Sequence, residues 1–144
     1  MRKQYRHEIV VDRPVDEAFP LFTPRGEESW VPGWRPDYFA PEDGETQKDM
    51  LFATGEGNER TWWTCLAYEP EKHRVRYLRL TPESRAAFVE VRCKAHDVGS
   101  TMVTVGYDMQ ALGPSGDAYI ETMTDAAFAA MIGDWPRLIE SAAA

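Results

Sequence analysis

The sequence predicts an α+β fold in which a curved antiparallel sheet of about seven strands wraps around a long C-terminal α-helix. Three observations predict it. An alternating opening segment runs into a proline-started helical turn, strand-like runs then follow one another across short turn signals, and the closing segment repeats apolar residues every three or four positions. At 144 residues the chain has the size of one domain with a sizeable core, so residues 1–144 are read as a single folding unit.

Tyr5 to Asp12 alternates, with Tyr5, His7, Ile9 and Val11 on one face, which marks a half-buried strand. Arg13-Pro14 ends it, and Val15 to Phe22 reads as a short amphipathic helix begun by proline and kept short by Pro20 and Pro24. Pro24 to Glu45 is crowded with Pro, Gly and aromatic residues, including Trp30, Trp34, Tyr38 and Phe39, and is expected to be ordered but irregular. Five strand-like runs follow: Met50 to Thr54, Arg60 to Tyr68, Arg74 to Leu80, Ala86 to Ala95 and Thr101 to Ala111. The turn signals between them are those of consecutive hairpins. After Gly113-Pro114, the spacing of Ile120, Met123, Phe128, Met131, Ile132, Trp135 and Ile139 predicts one amphipathic helix from Asp117 to Ile139, kinked near Trp135 by Pro136. The chain closes on Ala142-Ala143-Ala144.

Centring each hairpin on its turn pairs Cys93 with Val103, Val91 with Val105 and Val89 with Tyr107, all apolar or aromatic, while Glu90, Arg92, Thr104 and Asp108 fall on a wet face. The turn before Arg74 places Trp62, Thr64, Leu66 and Tyr68 on the inward face with Val75 and Tyr77, and Arg79 then points inward as well. Trp62 and Trp63 must take opposite faces. In this register Cys65 faces away from Cys93, with backbones roughly 10 Å apart. A disulfide is not expected at that separation, and both thiols are read as buried and free.

The run His7-Glu8-Ile9-Val10-Val11-Asp12-Arg13-Pro14-Val15-Asp16-Glu17-Ala18-Phe19, the Trp30 and Trp34 pair after it, and the closing helix resemble the helix-grip fold of the START and birch-pollen-allergen superfamily, also called SRPBCC or polyketide-cyclase-like. The resemblance covers nearly the whole chain and implies an internal cavity between sheet and helix. It carries no shared catalytic motif, and it implies equally lipid carriers, hormone receptors, cyclases, aromatases and co-chaperone-like domains.

Lys and Arg number 16 against 24 Asp and Glu, a net charge of −8 with no long basic run, which argues against nucleic acid and anionic membranes as partners. The chain has no signal-peptide segment and no transmembrane run, so the expected location is the cytoplasm and no membrane insertion is expected. No phosphate loop, nucleophile elbow or metal-ligand spacing occurs, so no catalytic residue, metal or cofactor is assigned. His73 and His96 lie beside turns and are expected to be solvated, whereas His7 faces the concave side. Arg79, if inward, needs a carboxylate from the protein or from a ligand; its bland alternative is an exposed arginine in a slipped register. The aromatic residues either fill the core or line a pocket, and methionines serve both ends.

The candidate ligand-binding set is His7, Trp62, Thr64, Tyr68, Tyr77, Arg79, Val91, Tyr107, Met123, Phe128 and Met131. The leading expectation is non-catalytic binding of a small hydrophobic or amphipathic molecule, with a homodimer as a further possibility. Two alternatives stay open. One is a cyclase or aromatase in which Arg79, Tyr77, Tyr107 and His7 orient the substrate. The other is a co-chaperone-like surface built on Trp30, Trp34 and the outward member of Trp62 and Trp63.

Overall fold

The computed structural model describes residues 1–143; Ala144, which ends the alanine triplet and the expected domain, lies outside the described residues. Strand β1 (Arg2–Val11) buries Tyr5, Ile9 and Val11, half-buries His7 on the same face and exposes Arg6, Glu8 and Val10 on the other, as its alternation requires. Pro14 leads into helix α1 (Val15–Ala18), a 3-10 turn (Phe19–Phe22) and helix α2 (Pro24–Glu27). Thr23 caps α2: its hydroxyl accepts from the Gly26 N–H at 3.1 Å, and Pro24 occupies the first helical position, where a missing N–H costs nothing.

Six more strands follow: β2 (Asp37–Ala40), β3 (Leu51–Thr54), β4 (Thr61–Glu69), β5 (Arg74–Thr81), β6 (Arg85–Asp97) and β7 (Ser100–Ala111). They form one seven-stranded antiparallel sheet in the order β1-β7-β6-β5-β4-β3-β2, so the first strand closes against the last. Strand β2 is a correction, since the proline-rich stretch from Pro24 to Pro41 is partly regular. Pro36 and Pro41 bracket an edge strand that gives only one side to β3, the place in a sheet where flanking prolines are tolerated.

The register of β6 on β7 pairs Cys93 with Val103, Val91 with Val105 and Val89 with Tyr107, as the hairpin geometry predicts. Strand β4 departs from expectation. Its pairing with β5 shifts between Cys65, opposite Tyr77, and Ala67, opposite Arg76, leaving Leu66 without a partner. A bulge of one residue reverses the facing of everything on one side of it. Tyr68 therefore stays on the inner face while Trp62 and Thr64 lie on the outer one, and Trp63 and Cys65 point inward. Cys65 and Cys93 are both buried and free.

The C-terminal helix is long but segmented into α3 (Pro114–Thr122), α4 (Asp125–Gly133) and α5 (Trp135–Ala143). At Met123 the backbone leaves the helical region (φ −83°, ψ 76°), and Thr124 starts α4 by accepting from the Ala127 N–H at 3.1 Å. Only Asp134 separates α4 from α5, and the bend falls beside Pro136, which has no N–H to give to the preceding turn. Phe128, Ile132 and Ile139 are buried against the sheet. Phe128 sits 5.1 Å from the Tyr5 ring and 4.9 Å from the Tyr107 ring, which fixes α4 over β1 and β7.

A candidate ligand cavity between sheet and helix

Sheet and helix do not close completely on each other. Between them lies a cavity of about 660 Å³, within the range that small-molecule sites occupy. Its floor is the inner face of the sheet: Phe52 from β3, Trp63 from β4, Tyr77 and Arg79 from β5, Val89 and Val91 from β6, and Tyr107 from β7. Ala130, Met131, Asp134, Trp135 and Leu138 form its roof. The remaining wall is α2 and the turns after it, through Pro24, Glu27, Trp30, Val31, Pro32 and Trp34. Pro32 and Ala130 are the exposed members and mark where the cavity meets solvent.

The aromatic lining is fixed in place by its own polar tips. Trp30 Nε1 donates to the Leu21 carbonyl at 2.8 Å, Trp34 Nε1 to the Pro24 carbonyl at 2.9 Å and Trp63 Nε1 to Thr54 Oγ1 at 3.0 Å. The Tyr77 hydroxyl donates to the Phe22 carbonyl at 3.0 Å, tying β5 to the turn before α2. Edge-to-face contacts link Trp34 to Trp63 at 5.5 Å and Trp30 to Trp135 at 5.3 Å. These rings form a rigid wall because each is held at two points.

Three ionisable side chains other than the tyrosines break the apolar surface: Arg79, Glu27 and Asp134. Arg79 lies over the Tyr107 ring at 4.8 Å and the Trp63 ring at 5.7 Å, and its buried Nη2 has no hydrogen-bond partner among the described residues. Glu27 faces it from α2. Loss of hydration raises the Glu27 carboxyl to about 8, against the pull of the Arg79 charge, so it is mostly protonated at neutral pH. Burial also holds the Tyr77 and Tyr107 phenols above their ordinary range. The cavity thus offers one fixed cation, one neutral carboxyl, one carboxylate already paired with Arg137 and two neutral phenols in a frame of indoles.

Of the sequence-based candidates, Tyr77, Arg79, Val91, Tyr107 and Met131 come together around this space. Phe128 lies behind it, between Tyr5 and Tyr107. Tyr68 faces inward but stacks on Phe19 at 6.2 Å, beyond the end of the cavity. His7 is half-buried on β1 beneath Gly133, and Met123 sits in the break between α3 and α4. Trp62 and Thr64 are on the opposite face of the sheet, where Trp62 is 46% exposed and stacks on Phe39 at 5.7 Å. Trp30 and Trp34, expected at the surface in the co-chaperone reading, are turned inward instead. His73 is also not simply solvated, since its Nε2 meets Asp16 Oδ1 at 2.9 Å.

Glu27, Trp63 and Trp135 border the cavity but stand outside the candidate ligand-binding set, although Trp63 and Trp135 are among the aromatic residues that could line a pocket. For Glu27 a signal existed: Thr23-Pro24 is a cap followed by proline at the first helical position, which starts a turn that carries residue 27 inward. For Trp63 there was none, because a bulge leaves no mark in the alternation.

Among the described residues no helix is long and apolar enough to cross a membrane. No family model matches the chain, and no curated protein matches it either. Solved structures do. Norcoclaurine synthase from Thalictrum flavum, in complex with dopamine and hydroxybenzaldehyde, is similar at a TM-score of 0.67 and 13% identity, over 98% of this chain and 88% of that one. Zhui aromatase/cyclase from a Streptomyces species is similar at a TM-score of 0.68 and 14% identity, over 99% of this chain and 94% of that one. Ara h 8.0201 is similar at a TM-score of 0.63 and 11% identity, over 89% of this chain and 93% of that one. At such identities the likeness speaks to the fold.

Proposed function

From the premise that this chain has the helix-grip fold, we propose that it binds one small hydrophobic or amphipathic molecule in the cavity between the sheet and the C-terminal helix, as a binding domain formed by residues 1–144. The observation that carries this reading is the open space itself. A core this rich in aromatic side chains still leaves about 660 Å³ unfilled, with the polar tips of Trp30, Trp34 and Tyr77 turned toward backbone carbonyls. An apolar cavity held open by a fixed frame binds a ligand without first having to order itself. Tyr77, Arg79, Val91, Tyr107 and Met131 line the proposed site, together with Glu27 and the indoles. The reading needs no cofactor and no metal.

Isothermal titration calorimetry with the neutral probe N-phenyl-1-naphthylamine tests this. One site of micromolar affinity is expected. Ala130→Trp, which places an indole at the mouth from an exposed helix position, and Val91→Phe, which narrows the floor, should each weaken it at least tenfold while the circular dichroism spectrum is kept. Absence of binding, or affinity indifferent to both substitutions, would overturn the proposal.

A further inference from the structure

Resting on that ligand-cavity reading, we infer that the molecule taken up is an aromatic carboxylic acid bound as its anion, with its carboxylate on the Arg79 guanidinium and its ring among the indoles. The guanidinium cannot give up its proton, and a buried cation without a partner is costly. Its surroundings supply ring faces, at 4.8 Å and 5.7 Å, but no anion. Each nearby carboxylate is spoken for or neutral. Asp134, which shares the cavity, holds Arg137 through both oxygens at 2.8 and 2.9 Å. Glu59 holds Arg85 at 2.9 Å. Glu27 is kept protonated by loss of hydration. The unmet Nη2 donor is therefore an anion site that the chain leaves for something else to fill.

A carboxylate is the anion that suits it. A guanidinium presents paired donors in one plane, which a planar carboxylate matches. A protonated Glu27 has an O–H to donate toward the same ligand oxygens, where an ionised one would repel them. The rest of the ligand meets Trp30, Trp34, Trp63 and Trp135, flat surfaces suited to a fused ring.

Calorimetry with 2-naphthoate and its uncharged isostere 2-naphthamide at pH 7 tests the inference. The acid should bind at least tenfold more tightly than the amide. Arg79→Met should erase that preference while leaving the amide bound, and Arg79→Lys should restore part of it. The groups facing Glu27 are Arg79 and Tyr77 on β5, Tyr107 on β7, Tyr38 on β2 and Asp134 at the α4–α5 junction, with Arg25 and Glu28 on its own segment. Of these, Glu27 is the one that ionises near pH 8, so affinity for the acid should be level from pH 6 to about 7.5 and fall above about 8, and Glu27→Gln should abolish the fall. Binding of the amide as tightly as the acid, or an undiminished preference in Arg79→Met, overturns the inference and leaves the ligand-cavity reading standing. Binding of neither naphthalene removes both.

Discussion

Glu27 links the cavity to folding through a proton. Its folded-state pKa of about 8 lies above the ordinary 4.5, so the unfolded chain ionises first as pH rises. The contribution of this group to stability is fully present below about pH 4.5, declines between about 4.5 and 8, and is level thereafter. Glu27→Gln is expected to flatten that decline and to stabilise the protein at pH 7.5 by at most about 4 kcal/mol, read from urea midpoints across the range. Tyr77 makes a different residue-scale prediction. Removing its hydroxyl in Tyr77→Phe strands the Phe22 carbonyl, and a loss of about 1–2 kcal/mol is expected in the same measurement. The sequence left Arg79 open between an inward position and an exposed one in a slipped register, and the unbroken pairing of β5 with β6 decides for the inward one. That Trp63, rather than Trp62, stands beside it was not legible, because the facing of β4 depends on a single unpaired residue, Leu66.

At the scale of elements, the short helix α2 positions Glu27, and it is held by close approach as much as by its cap. A Cβ on Gly26 would fall 1.8 Å from the Pro20 carbonyl oxygen, so Gly26→Ala must displace the turn. A loss above about 2 kcal/mol is expected, accompanied by a return of the Glu27 titration toward the ordinary carboxylate range. Thr124→Ala tests a helix end outside the cavity lining. It removes the acceptor for the Ala127 N–H, and about 1 kcal/mol of stability should go with it while the cavity and its binding are unchanged. Helix periodicity and the bend at Pro136 could be read from the sequence. The break at Met123 could not, because Thr124 is a good cap whose apolar neighbours still keep helical spacing on both sides.

Across the whole molecule, the meander, the helix packed over it and the pairing of β6 with β7 were legible because each follows from local turn chemistry and periodicity. Strand β2 was hidden by its prolines, and the closure of β1 on β7 has no local signature. The cavity was least legible of all. Whether large side chains fill a space or surround it depends on a few ångströms of separation between layers, set jointly by Phe128 on Tyr5 and Tyr107 and by the Tyr77 tie to Phe22. The arrangement of the indoles has one more consequence. Of the five tryptophans, Trp30, Trp34, Trp63 and Trp135 border the cavity while Trp62 is half-exposed on the far face. The protein is therefore expected to act as its own optical reporter: on titration with a conjugated ligand, quenching should fall on the emission of the enclosed indoles and spare that of Trp62.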